Sequence, residues 1–463
     1  MKNKSVNFTE GKLLPAIITY SIPLIFASLI QMLFNAADLA VLGQFDTSAD
    51  SSAVGAVGAT GAIIGLLVSS VVGLSGGTNV LLARSVGAND VERSQKIVGT
   101  SIILSASAGI IMLTVGMLSA SRFLEWTNCP ENCFGGALTY LYIYFAATPA
   151  IYIYNFGAAI IRVSGDSRSP FIYILISGAL NVVLNFILCI VMAEKVAAVA
   201  IATLVSNVLG AVLVVIHLIR MKDGPCKVNI KHIAFSFKEL GNIFLLGLPT
   251  AFTTALYSIS NLQIQGAINS FGSSAAAGNS ASAQLEGFVN SITSSIAMAA
   301  MVFVGQNVGA KRRERVKLSI ILCVIINGIA ALVLGYGVLL FGKPLLGIFL
   351  PGDPLGVDVA MVRMTCLLSI YFVAAIDSVL SFSLRAFGYT ILPMLNSVFT
   401  VVLFRTVWMN LIYPNMTFIG DPIKDIFNVY VCYIYSWVMS LVVQIVFFIV
   451  IYRRYMTGKG KVI

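Results

Sequence analysis

The stretch SIPLIFASLIQMLFNAADLAVLGQF, Ser21–Phe45, decides the fold class. Asp38 is its one charged residue. A helix needs about 20 mostly apolar residues to cross a bilayer, and this run supplies them. It is too long for the apolar core of a signal peptide, and no small-residue cleavage site follows it, so a retained membrane helix is expected. A lone carboxylate in such a run needs a reason.

The whole chain has the same character. Of its 463 residues, 58% are hydrophobic and 10% are charged. A soluble chain carries roughly 25% charged residues. The mean hydropathy is +0.93. So apolar a surface has lipid as its solvent. The fold class expected is an all-α polytopic membrane protein. Apolar runs predict about twelve spans, near 13–43, 53–83, 96–120, 137–162, 170–193, 196–220, 241–270, 276–306, 317–341, 360–386, 391–413 and 428–452.

The connections set the orientation. Basic residues gather at the N-terminus (Lys2, Lys4, Lys12), in alternate loops, in the run KRRERVK (Lys311–Lys317) and at the C-terminus (Arg453, Arg454, Lys459, Lys461). By this assignment about 23 of the 29 Lys and Arg lie on one face. Arg122, Lys195, Lys343, Arg363 and Lys424 are assigned to the other. Basic loops stay in the cytoplasm, so both termini are expected there, in the plasma membrane. The same rule accounts for the +10 net charge, and nucleic acid is not expected as a partner.

The two halves resemble each other. ARSVGANDVERSQK (Ala83–Lys96) aligns with GQNVGAKRRERVKL (Gly305–Leu318), and RVSGDSRSP (Arg162–Pro170) with RAFGYTILP (Arg385–Pro393). Pro23 and Pro249 stand early in the first helix of each half. Six spans separate the copies, so both enter the membrane in the same direction, which implies a pseudo-twofold axis along the membrane normal. The expected domains are a six-helix lobe at 1–220, a cytoplasmic linker at 221–239 and a second six-helix lobe at 240–463, with a central cavity. Repeats of this kind point to a transporter.

Four ionisable residues fall well inside the expected spans: Asp38, Glu286, Asp377 and Arg405. A charge at mid-bilayer costs at least ~2.5–3.5 kcal/mol. Desolvation favours the neutral form of an acid, so a carboxyl there can take up a proton or hold a cation. Asp38 is about 22 Å along its helix from Pro23, which removes a backbone bond and is read as a static kink or a hinge. Asn181 and Asn185, four apart, share a helix face. With Thr203 and Asp38 they offer oxygen ligands suited to a hard cation such as Na⁺. Thr203 can instead bond its own backbone. Arg405 is placed to neutralise Asp377. Glu286, Gln31, Asn35 and Tyr140 are further candidates for substrate contact or proton relay, as are Tyr144, Tyr257 and Tyr371 for a cavity wall. No GxxxxGK[ST] run exists for a phosphate loop. The two histidines, His217 and His232, lack zinc spacing. Neither an enzyme nor a cofactor is expected. Cys129 and Cys133 are read as a local disulfide or as two free thiols.

In combination, IPLIFASLIQMLFNAADLAVLGQF, the paired VGA turns, RVSGDSRSP and VGQNVGAKR resemble the multidrug and toxic compound extrusion (MATE) family over nearly the whole chain. The resemblance implies twelve helices in two lobes and export of cationic or amphiphilic small molecules by antiport with Na⁺ or H⁺. It implies an N-lobe cation site whose aspartate matches Asp38, with Asn181 and Thr203 as partners. The family often has Asp where this chain has Asn185. A C-lobe site of another branch matches at Asp377, but the seventh helix here lacks its acid and offers Gln263 and Gln265. A monomer is expected. The alternative function is a lipid-linked oligosaccharide flippase of the same superfamily. Such a protein needs a cationic cavity to meet pyrophosphate.

Overall fold

The computed structural model describes residues 8–45, 52–127, 129–221, 224–228, 233–416 and 420–457. Lys2, Lys4, Lys222, Lys231, His232, Lys459 and Lys461 lie outside the described residues. Among those described, every regular element is helical. The helices that bear on function are α1 (Leu13–Phe45), α2 (Ser52–Gly87), α3 (Val91–Trp126), α4 (Glu131–Val163), α5 (Arg168–Val191), α6 (Lys195–Arg220), α7 (Phe237–Asn269), α8 (Ser273–Gly309), α9 (Arg313–Leu340), α10 (Gly342–Phe349), α11 (Pro354–Leu368) and α12 (Tyr371–Ala386). A span at Ile391–Asn415 and a long helix at Pro422–Met456 follow. Eleven described helices are long and apolar enough to cross a membrane, or twelve if α11 and α12 form one span.

That pair departs from the expectation of a single helix over 360–386. Instead α11 and α12 meet at a 47° bend. The apolar run continues through Ser369 and Ile370, so hydropathy gives no sign of the break. Arg363, assigned from sequence to an outer connection, lies inside α11 with only 7% of its surface exposed. The span Ile391–Asn415 is also irregular: wider π-helical turns at Val398–Leu403 and Trp408–Ile412 flank one α-helical turn, Phe404–Val407.

Local chemistry explains the helix starts. The Asp90 carboxylate accepts from the Arg93 amide at 2.9 Å and caps α3. Asp353 caps α11 by accepting from Gly356 N at 2.9 Å. Asp166 accepts from the amides of Arg168 and Ser169, both at 3.0 Å, as α5 begins.

The repeat read from the sequence recurs in backbone detail. α2 ends at Gly87 and α8 at Gly309, 222 positions later. Two positions beyond each end stands a non-glycine residue in the left-handed region, Asn89 at φ 61° and Lys311 at φ 56°. Each turn closes with the same bonds: Asp90 N to Ser85 O at 3.1 Å, and Arg312 N to Asn307 O at 3.0 Å. The turns after α4 and α12 match likewise, through Gly165 at φ 93° and Gly388 at φ 89°.

The chain divides into two compact units. One comprises Met1–Gly11 and Ile18–Ala251, the other Lys12–Ile17 and Phe252–Ile463. In the first, α4 packs against α2, α3 and α6, and α5 packs against α6. The start of α7 belongs here and is pinned by Arg93, which pairs with the buried Glu239 at 3.0 Å. A Cβ on Gly77 of α2 would stand 2.5 Å from the carbonyl oxygen of Ile243 in α7, so glycine permits that close approach. In the connecting segment Cys226 is buried, and burial pushes its thiol up to about 12, so it behaves as a small apolar group. In the second unit α8 packs against α9, α11 and α12, and α12 against α9 and Pro422–Met456. Cys133 is buried in α4, Cys129 precedes that helix, and both thiols are free.

Candidate functional site

Asp38 lies in the last turns of α1, within the first unit. Its carboxylate Oδ1 accepts from Asn185 Nδ2 at 2.5 Å. Asn185 Nδ2 also reaches Asn181 Oδ1 at 3.3 Å, one turn back on α5. Asn181 Nδ2 in turn donates to Thr203 Oγ1 of α6 at 3.5 Å. Thr203 donates its own proton to the backbone carbonyl of Val199 at 3.0 Å. Thr203 thus bonds its own helix while its hydroxyl oxygen accepts from Asn181. The four residues proposed from sequence form one connected cluster from three helices.

The cluster has an unusual balance. Asn185 is fully buried, and its Oδ1 has no hydrogen-bond donor. A buried amide oxygen left bare costs free energy. Asp38 has no basic partner among the described ion pairs. The cluster thus holds one carboxylate, two side-chain amides and one hydroxyl, with no basic side chain among its described ion pairs. Among the described residues no group of three or more His, Cys, Asp or Glu could hold a metal ion. The donor set suits a weakly held monovalent ion or a proton better than a divalent metal.

The other candidates separate. Gln31 and Asn35 precede Asp38 on α1 at helical spacing, are exposed, and stay outside the cluster. Tyr140 is buried on α4, stacks on Tyr144 at 6.1 Å and lies within electrostatic range of Asp38. Pro23 is enclosed in α1, which continues through it. His217 of α6 bonds the Tyr173 hydroxyl at 2.8 Å.

In the second unit Asp377, on α12, accepts from Ser440 Oγ at 3.3 Å. Ser440 belongs to a buried polar set with Asn396 and Gln444, where Asn396 Nδ2 donates to Gln444 Oε1 at 2.8 Å. Arg405, expected from sequence to neutralise Asp377, does not. It donates to Ser436 Oγ at 3.1 Å and to Asn261 Oδ1 at 3.4 Å, and its guanidinium covers the Tyr433 ring at 4.0 Å. The π-helical turns on either side reset the direction in which Arg405 leaves its helix, which residue counting on a regular helix cannot anticipate.

Glu286 has a partner that the sequence alone did not suggest. Arg363 Nη2 donates to Glu286 Oε2 at 2.5 Å, while Nη1 binds the Ser282 hydroxyl at 3.1 Å and the Asn279 carbonyl at 3.2 Å. The signal available was position: Arg363 comes about two and a half turns after the Asp353 cap and Pro354, within an apolar helix. Gln265 of α7 accepts from Asn279 Nδ2 at 2.7 Å, and Gln263 accepts from the Thr406 hydroxyl at 2.9 Å. Tyr257 donates to Ser397 at 3.3 Å, and Tyr371 packs edge-on to Trp437 at 5.5 Å.

The chain is similar to the probable multidrug resistance protein YoeA of Bacillus subtilis, at 25% identity over 82% of this chain and 83% of that protein. It is also similar to the probable multidrug resistance protein NorM of Thermotoga maritima, at 24% identity over 85% of this chain and 82% of that one. Among solved structures, it shares the fold of a crystal structure described as MATE in the bent conformation, with a TM-score of 0.89 at 18% identity over all of both chains. A second, the outward-facing conformation of a multidrug resistance MATE family transporter of the MOP superfamily, gives 0.88 at 18% identity over 99% of this chain and 100% of that one. The MatE family model matches residues 23–187 and 249–409, one copy in each half. This chain therefore belongs to the MatE family, whose members are membrane transporters and not enzymes.

Proposed function

We propose that this protein exports cationic or amphiphilic small molecules across the plasma membrane by antiport with Na⁺ or H⁺. Its relatives are named as multidrug resistance and multidrug export proteins. The observation that carries the coupling is a contrast among the acids enclosed by helices. Glu286 has Arg363 and Glu239 has Arg93, whereas Asp38, partly buried, has only the neutral groups of its cluster. A carboxylate so placed is neutralised by a proton or a cation that comes and goes. The bare Oδ1 of Asn185 supplies a further ligand to such an ion.

In this reading the coupling ion enters down its gradient, binds at Asp38, and resets the carrier after the substrate has left. Pro23 lies on the same helix and is the proposed hinge. Asp377 is a second coupling candidate, with Ser440 as its partner. Two six-helix lobes, cytoplasmic termini and a monomeric carrier complete the proposal. A flippase for lipid-linked oligosaccharide asks for several free cations to meet pyrophosphate. Arg363 is neutralised by Glu286, which leaves Arg405 as a single unpaired buried arginine among the described residues, short of the several that a pyrophosphate needs, and this favours the exporter.

The test is efflux of a cationic dye from proteoliposomes, with Na⁺ and H⁺ gradients imposed separately. Export driven by one gradient and lost in Asp38→Asn is expected. Gradient-driven export that persists unchanged in Asp38→Asn removes Asp38 from the coupling step.

A further inference from the structure

Arg405 is the second buried arginine of the second unit, and it lacks what Arg363 has. Only 2% of its surface is exposed. None of the described ion pairs includes it. A buried cation without a counter-ion is costly, and natural proteins seldom keep one idle. Its Nε is taken by Ser436 and one face by Tyr433. Nη1 makes a single long bond of 3.4 Å to Asn261, and Nη2 has no partner among the described residues. The free edge is thus the Nη1–Nη2 side, which offers the parallel N–H pair that fits a carboxylate.

The approach to that edge is polar. On α7, Thr254, Ser258, Asn261, Gln265 and Asn269 follow at intervals of four, three, four and four, so they share one face. Four of them are exposed and Gln265 is partly so. Amides and hydroxyls facing hydrocarbon would each be penalised, so this face meets water and not lipid. Asn261 belongs to that stripe and also touches Arg405. π-helical turns recur at functional sites, and here they lie on both sides of the arginine.

We propose that Arg405 binds a carboxylate or equivalent oxyanion carried by the transported molecule, and so discriminates substrates that bear one from those that do not. This rests on the exporter reading above and names a residue that discriminates among its substrates. The Tyr433 ring supplies an apolar wall beside the charge. Asn261 gives up its long bond when the oxyanion arrives.

A matched pair of probes tests it: rhodamine 123, a cationic methyl ester, and its free acid, which adds a carboxylate. Binding to purified full-length protein is read by fluorescence anisotropy, and export by proteoliposome efflux. In the wild type the free acid is expected to bind at least as well as the ester. Arg405→Gln is expected to lower the acid-to-ester affinity ratio about tenfold, the scale of one charge-assisted pair. Arg405→Lys, which keeps charge but not the fork, is expected to lower it about threefold. Should R405Q not fold, the wild type and R405K decide the matter. A wild type blind to the free acid, or a ratio unmoved by either substitution, overturns the proposal. Binding that depends on Arg405 without export of either dye sustains the anion site and instead sinks the exporter reading.

Discussion

Asn185 donates its amide to Asp38 and keeps its own Oδ1 bare inside the first unit. The donor holds the carboxylate in place, while the buried amide oxygen beside it has no hydrogen-bond donor. The charge balance of the cluster is therefore set by one position, and that position is asparagine.

Asp38→Asn removes the only formal charge of the cluster and preserves its shape. The amide can still bond Asn185, so the helices should assemble as before. If Asp38 carries the coupling as proposed, ion-coupled dye export is expected to fall to below about a tenth of wild type, well within the reach of losing one carboxylate inside the membrane. Thermal unfolding in detergent should stay close to wild type. Efflux in proteoliposomes and a melting curve measure the two halves of this expectation.

Asn185→Asp places a second carboxylate beside the first. Two acids sharing one site favour a bound cation, and they raise the difficulty of ionising both at once. Half-maximal Na⁺ for dye efflux is expected to drop about tenfold, the effect of roughly 1.4 kcal/mol of added attraction. Titration of efflux against external Na⁺ at fixed pH checks it. An unchanged Na⁺ response would mean that Na⁺ does not bind at this cluster.

Much of this site was legible because its signals are local. A lone acid in an apolar run and two amides at four-residue spacing need no tertiary knowledge to stand out. The repeat was legible for the same reason, since VGA followed by a polar cluster marks the end of one helix and the start of another. Arg363 and Arg405 were misplaced because their neighbours depend on departures from regular helix. Hydropathy is blind to the bend at Ser369–Ile370. Nothing in VFTVVLFRTVWMNLI signals two π-helical turns, yet each turns the rest of the span about its axis, and Arg405 ends up away from Asp377.

Arg363→Met leaves the partly buried Glu286 without its guanidinium. Breaking a buried pair from one side costs about 3–5 kcal/mol, whereas removing both charges costs far less. The double variant Glu286→Gln, Arg363→Met should therefore be more stable than Arg363→Met alone. Unfolding in detergent of both single variants and the double variant gives the coupling energy directly. A double variant no more stable than R363M would show that Arg363 acts mainly through Asn279 and Ser282.

Gly77→Ala introduces a methyl group 2.5 Å from the Ile243 carbonyl oxygen, closer than any real Cβ contact. Backbone lies on both sides, so no side chain can swing away. Overpacking of this kind costs about 1–3 kcal/mol. The loss should appear as a lower melting temperature, while Gly61→Ala on the same helix, where nothing stands within 4 Å, should be neutral or slightly stabilising.

Lys311 and Asn89 occupy the same left-handed corner in the two repeats, and they suit it unequally. Asparagine tolerates φ near 60°, whereas a lysine side chain sets its Cβ against the following carbonyl at a cost of roughly 1–2 kcal/mol. Glycine has no Cβ and relieves that clash, but it also adds freedom to the unfolded chain. Lys311→Gly should therefore stabilise by about 0.5–1 kcal/mol, the difference between the two effects. Asn89→Gly should be close to neutral. Asn89→Val, which sets a branched side chain in the same corner, should destabilise by more than 1 kcal/mol, or roughly the full left-handed penalty. Melting curves of the three variants decide it, and a destabilised K311G would show that the Lys311 side chain makes a contact stronger than the strain it bears.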